Sequence, residues 1–157
     1  MIFVTTGTQL PFPRLIAEMD RLAFELEETV VAQVGPDDAE RPNLDLRGRM
    51  SPEEFEATFK AARLVVAHAG VGSVLSARRY GKPLILVPRR FSLGEHRNDH
   101  QFATAQALDG REGIYVAWEV DEIGALVRRT ELRPAEDRPG PELQPLVSAV
   151  RNFLLER

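Results

Sequence analysis

Cysteine is absent from the 157-residue chain, which excludes disulfides, thiol nucleophiles and thiolate-bound metals. Lysine is nearly absent: of 20 basic residues only Lys60 and Lys82 are not arginine. No apolar run approaches the roughly 20 residues needed to cross a bilayer. Met1 is followed directly by the strand-like Ile2-Phe3-Val4, without the charged-then-apolar pattern of a secretory leader. With 43% hydrophobic and 28% charged residues, the expectation is one cytoplasmic globular domain. The net charge of −4 argues against general nucleic-acid binding. It is unevenly spread. Residues 78–97 hold Arg78, Arg79, Lys82, Arg89, Arg90 and Arg97 against Glu95 alone, a local +5 that leaves −9 for the rest. Such a segment is either a solvated helix face followed by a loop, or a focus of positive potential for a small anion.

Short β-forming runs alternate with helical patterns. Residues 2–4 and 29–34 read as buried strands, and 43–47 as a short third. Between the first two, Leu15, Ile16, Met19, Leu22, Ala23 and Leu26 recur at amphipathic-helix spacing. Ser51-Pro52-Glu53-Glu54 is a helix start with cap, proline and capping-box glutamate in place, which turns Phe55, Phe59 and Ala62 inward. Leu64–Ala67 and Pro83–Pro88 are continuous apolar runs, as in strands covered on both faces. A helix ending near Tyr80-Gly81 separates them; another ending near Gly110, a strand over 114–117, and a helix capped by Asp121 follow. The pattern predicts an α/β fold, a Rossmann-like parallel sheet with helices on both faces. Residues 1–130 form that domain, 131–142 a proline-rich linker, and 143–157, with Leu143, Leu146, Val147, Val150 and Leu154, a C-terminal helix.

Ligands of such sheets bind where loops leave the carboxyl ends of the strands. Three of these loops are unusually polar. Gly7, Thr8 and Gln9 follow the first strand and form either a simple turn into Pro11-Phe12-Pro13 or a contact for phosphate or sugar. His68-Ala69-Gly70-Val71-Gly72-Ser73 joins a buried strand to a helix, whose free N–H groups suit a diphosphate; His68 either donates to that anion or caps the turn. Residues 89–101 are dense in hydrogen-bonding side chains. Glu95, Asn98, Asp99 and Gln101 suit sugar hydroxyls, and Arg89 or Arg90 an anion. The lack of G-x-G-x-x-G argues against a dinucleotide-binding domain even where the fold would suit one, and the lack of G-x-S-x-G against a serine hydrolase. His96 and His100 stand at i, i+4, but without a third ligand or H-E-x-x-H no metal is expected.

Residues 1–9 and the segment HAGVGSVLSARRYGKPLILVPRRFSLGEHRNDHQFATA, residues 68–105, resemble the opening strand and long donor-binding signature of the C-terminal domain of glycosyltransferase family 28. The similarity is nearest in style to the small subunits of two-component bacterial exopolysaccharide glycosyltransferases. It implies the donor half of a GT-B enzyme, with a UDP-sugar as co-substrate and no cofactor. Gly7, Thr8 and Gln9 would lie at the diphosphate, as would His68, Gly70, Gly72 and Ser73. Asp99 and Gln101 would hold the sugar, with Asn98 and Glu95 alongside, and Arg89 or Arg90 would stabilise the departing diphosphate. Peptidoglycan members carry a ribose-binding Glu where this chain has Ser76. The resemblance further implies a membrane-associated partner subunit that binds a polyprenyl-linked acceptor and recruits this chain to the inner face of the membrane. No catalytic base is assigned here. The alternative is a non-catalytic activator that binds the nucleotide sugar while its partner does the chemistry. The C-terminal helix either docks on the partner or packs on its own sheet.

Overall fold

Strands with no polar position on either face cannot leave one face in water, so they require helices on both sides. The computed structural model, which describes residues 1–36 and 39–136, builds this arrangement. β1 (Ile2–Thr5), β2 (Val30–Gln33), β3 (Asp45–Arg47), β4 (Leu64–His68), β5 (Leu84–Val87) and β6 (Ile114–Val116) form one sheet in the order β3-β2-β1-β4-β5-β6. Every pairing is parallel. Side chains alternate between two cores. On one face Ile2, Val4, Val66 and Ile85 meet Leu15, Ile16, Met19 and Leu22 of α1 (Pro13–Glu25) and Ile123 and Val127 of α5 (Ile123–Val127). On the other, Phe3, Val65 and Leu86 meet Phe59 of α2 (Pro52–Ala61), Val74 and Ala77 of α3 (Val71–Tyr80) and Ala105 of α4 (His100–Leu108). This is the expected architecture.

Local signals act as read. The Ser51 hydroxyl accepts from Glu54 N–H at 3.2 Å while the Glu54 carboxylate accepts from Ser51 N–H at 2.8 Å, closing a capping box. Phe59 is fully buried, and its ring lies 5.9 Å from Phe3 and 5.7 Å from Tyr80. Asp121 does not cap α5. Residues Val120–Glu122 form a 3-10 turn that enters the helix already wound, and the Glu122 carboxylate accepts from Trp118 N–H at 2.8 Å. Residues 131–136 lie against the sheet: Ala135 is buried and its N–H donates to the Lys82 carbonyl at 3.2 Å, and Arg133 N–H donates to the Tyr115 hydroxyl at 2.9 Å. The rest of the expected linker, 137–142, and the expected helix 143–157 fall outside the described residues. Among the described residues no helix is long and apolar enough to cross a membrane.

Candidate functional site

The chain winds outward in both directions from β1 and β4, so the loops that follow these two strands part and leave a crevice at their carboxyl ends. Two cavities open there. A polar one of about 350 Å³ is lined by the β1 loop (Thr6 to Leu10), by His68, Gly70, Val71 and Gly72, and by Arg89, His96, His100 and Gln101. A second of about 480 Å³ lies between α2 and α3, with Phe55, Tyr80, Pro52 and Met50 beside Gln33, Ser51, Glu56, Ser73, Ser76 and Arg79. Gly7, Thr8, His68 and Gly72 border both.

His68 is the wall between them, and two glycines make room for it. A Cβ on Gly70 would sit 2.4 Å from His68 Nε2, and one on Gly7, at φ +78°, 2.9 Å from Cε1. Nδ1 lies 3.5 Å from the Thr5 carbonyl oxygen, to which only a protonated Nδ1 can donate. Burial, and then the nearby Arg89 charge, push the imidazole down from 6.5 to about 4. Because the unfolded chain takes up this proton first, folding stability falls as pH drops from about 6.5 toward 4, by at most about 1.4 kcal/mol per pH unit. Urea midpoints measured across that window should therefore fall more steeply for the wild type than for His68→Gln. Parallel curves would remove His68 as the source.

The third loop is more committed to the protein than its composition suggests. Arg89 is buried at 2% exposure, and its guanidinium donates to backbone carbonyls. Glu95 accepts from Arg14 at 2.7 and 3.0 Å and from Arg90 N–H at 2.9 Å. Arg90 turns to the Trp118 carbonyl at 2.9 Å and to Glu119 at 2.6 Å. Asp99 accepts from Phe91 N–H at 3.0 Å, and Asn98 engages His100. Of the residues expected to face a ligand, Gly7, Thr8, Gln9, His68, Gly70, Gly72, Arg89 and Gln101 line the polar cavity, and Ser73 the second. Arg90, Glu95, Asn98 and Asp99 line neither. Gln101 is itself buried, with Oε1 accepting from Arg89 N–H at 3.3 Å.

Sequence reading weighed His96 and His100 only as metal ligands. Both line the polar cavity, their rings edge-on at 4.4 Å. The sequence expectations reach the second cavity only through the β1 and β4 loops, Ser73 and Ser76, and not through its walls from β2 and α2. The available signal was Thr5 and Gln33, polar residues ending two otherwise apolar strands; they are register partners, and Thr5 Oγ1 donates to Gln33 Oε1 at 2.7 Å.

The family model for the glycosyltransferase family 28 C-terminal domain matches residues 1–128. A curated relative, the UDP-N-acetylglucosamine transferase subunit ALG13 of Yarrowia lipolytica, is 29% identical over 177 residues, covering 98% of this chain and 86% of that protein. Among solved structures, the glycosyltransferase of kitacinnamycin superposes with a TM-score of 0.62 at 17% identity, covering 99% of this chain and 39% of that one. The solution structure of ALG13 superposes with a TM-score of 0.60 at 19% identity, covering 92% and 93%. The fold is thus that of one half of a GT-B glycosyltransferase. The chain spans about two fifths of the kitacinnamycin enzyme and most of each ALG13 chain.

Proposed function

This chain belongs to the glycosyltransferase family 28 C-terminal domain family, and we propose that it is the donor-binding subunit of a two-component glycosyltransferase that transfers a sugar from a UDP-sugar to a polyprenyl-linked acceptor. The observation that carries the reading is Gly72. A Cβ there would meet nothing within 4 Å, and its φ is not one that demands glycine. Packing among the described residues gives no reason for glycine in the first turn of α3, yet the residue borders both cavities. Space reserved on a helix N-terminus between two cavities suits a diphosphate, with free N–H groups and the positive end of the dipole directed at it.

In this reading the base and ribose take the cavity with Phe55 and Tyr80, the diphosphate crosses Gly7, Thr8, Gly72 and Ser73, and the sugar lies toward Gln101 and His100. An acceptor hydroxyl, brought by the partner, attacks the anomeric carbon from the side opposite the diphosphate. The C–O bond to the β-phosphate breaks with inversion, and UDP departs with the bonding electron pair. The charge that develops on the leaving oxygen is met by the start of α3 and by the Arg89 cation, preorganised groups of the kind that lower such barriers. The hydroxyl proton goes to a base outside this chain. UDP-N-acetylglucosamine is the first donor to test, because the curated relative is named for it; hexose and hexuronate donors follow. The acceptor and the recruitment to the inner membrane face belong to a membrane-associated partner.

The test is a thermal-shift panel with UDP, UDP-N-acetylglucosamine, UDP-glucuronate, UDP-galactose, GDP and NAD on wild type and Gly72→Ala. Ligand at about 100 times its Kd adds about 2.7 kcal/mol, an upward shift of about 5–10 °C for a chain of this size. UDP and one UDP-sugar should give it, and GDP and NAD should not. Gly72→Ala should leave the unliganded midpoint unchanged or slightly raised, since alanine suits a helix better, while cutting the UDP shift by more than half. Absence of any UDP response, both alone and with a co-purified partner, would sink the reading.

A further inference from the structure

The side chain that fixes the first loop belongs to the third. Arg89 Nη2 donates to the carbonyls of Thr6 at 2.9 Å and Leu10 at 2.7 Å, and Nη1 to that of Pro11 and, at 3.5 Å, to that of Glu95. Its guanidinium carbon stands 4.5 Å over the Phe12 ring. The hydrogen bonds described for residues 8–11 are those to Arg89, so this exposed, glycine-led stretch has no ladder of its own. A planar fork with fixed donor directions can gather carbonyls from two loops, which a lysine ammonium on a flexible stem cannot do in the same geometry. The same side chain lines the polar cavity, so a cation stands beside the anion site while its described donors are engaged by the protein.

We propose that Arg89 is a positioning residue: a buried latch that holds the Gly7–Pro11 loop against the 89–101 loop and so shapes the polar cavity before any ligand arrives, rather than an arginine that reaches out to grip the diphosphate. The latch itself rests on the described hydrogen bonds alone. Its consequence for UDP rests on the proposed function.

Two measurements on the full chain separate these claims. In ligand-free wild type, nitrogen-15 relaxation should give the amides of Thr8, Gln9 and Leu10 order parameters near those of a rigid backbone, about 0.85. The Nη protons of Arg89 should be resolved and slow to exchange with or without UDP. In ligand-free Arg89→Lys, which keeps the charge and loses the fork, the three order parameters should fall below about 0.6 while those of β4 and β5 stay unchanged. UDP affinity should then fall about tenfold. A merely stabilising role would lower the melting midpoint without loosening this loop selectively. If the Arg89 Nη protons become protected only on adding UDP, or the loop is equally ordered in wild type and Arg89→Lys, the latch is wrong. If the loop loosens as expected but neither protein binds UDP, alone or with a co-purified partner, the latch stands and the proposed function fails. The wild-type spectrum decides the matter even if the lysine variant does not fold.

Discussion

Alanine at Gly113 should lower stability by about 3 kcal/mol and the melting midpoint by about 6–12 °C. Two costs combine. The residue sits at φ +73°, where an L side chain costs about 1–2 kcal/mol. Its Cβ would also lie 2.2 Å from Ala135 N and Pro134 C and 2.3 Å from Pro134 O, backbone atoms that cannot rotate aside, and overpacking of this kind costs about 1–3 kcal/mol. The Gly113 carbonyl accepts from Leu84 N–H at 2.9 Å at the start of the β5–β6 pairing, so the residue cannot back away without disturbing the ladder. Gly110→Ala is the control: its φ is +77°, and a Cβ there meets nothing within 4 Å. It should show the conformational cost alone, about 1–2 kcal/mol. Equal midpoints for the two variants would mean that residues 134–135 are not held against the sheet.

Gly7→Ala should weaken UDP binding by about tenfold or more, since overpacking against a fixed neighbour costs about 1–3 kcal/mol and about 1.4 kcal/mol is tenfold in affinity. Gly7 is at φ +78°, and its Cβ would press on the His68 ring. Gly70 abuts the same Nε2–Cε1 edge so closely that a Cβ of its own would sit 2.4 Å from Nε2, so the ring is already tightly packed there. Either the loop swings out, or the imidazole moves into a cavity it now borders. Both outcomes deform the crevice at the point common to its two lobes. Calorimetric titration with UDP, with folding checked by circular dichroism, reads the effect. An affinity within threefold of wild type in a folded variant would show that the Gly7–His68 contact does not shape the site.

The parallel sheet and its two covered faces follow from the chain's apolar runs, because a run such as Leu64–Ala67, apolar at every position, has few other ways to hide from water. The capping box at Ser51 was equally plain, being a contact between residues three apart. The loops bordering the crevice were legible too, through glycines and hydroxyls at strand ends. Side-chain direction within them was not. Composition marks Arg90, Glu95 and Asp99 as ligand-facing, but Arg90 meets Trp118, Glu95 meets Arg14 and Asp99 meets the Phe91 N–H, while Arg89, which does line the polar cavity, spends donors on Leu10. Most of these pairings arise only when strands separated in sequence are laid side by side. The second cavity was hidden for the same reason. Its walls come from β1, β2, β4, α2 and α3 and the loops beside them, and no single stretch of sequence carries more than a third of its residues.

β1 is first in the chain and third across the sheet. During synthesis its partner β2 follows within some 30 residues, but its other edge must wait for β4, whose Leu64 pairs with Ile2. At roughly 5–20 residues per second, that edge stays without its strand for about 3–12 s after Ile2 is made, while Ile-Phe-Val-Thr is among the most apolar stretches of the chain. The nascent chain therefore passes through a period in which its central strand is half-clothed, the state in which a holding chaperone or an early-arriving partner has the most to offer. The hazard ends when residues 64–68 emerge, and the floor of the crevice between β1 and β4 is laid in the same event.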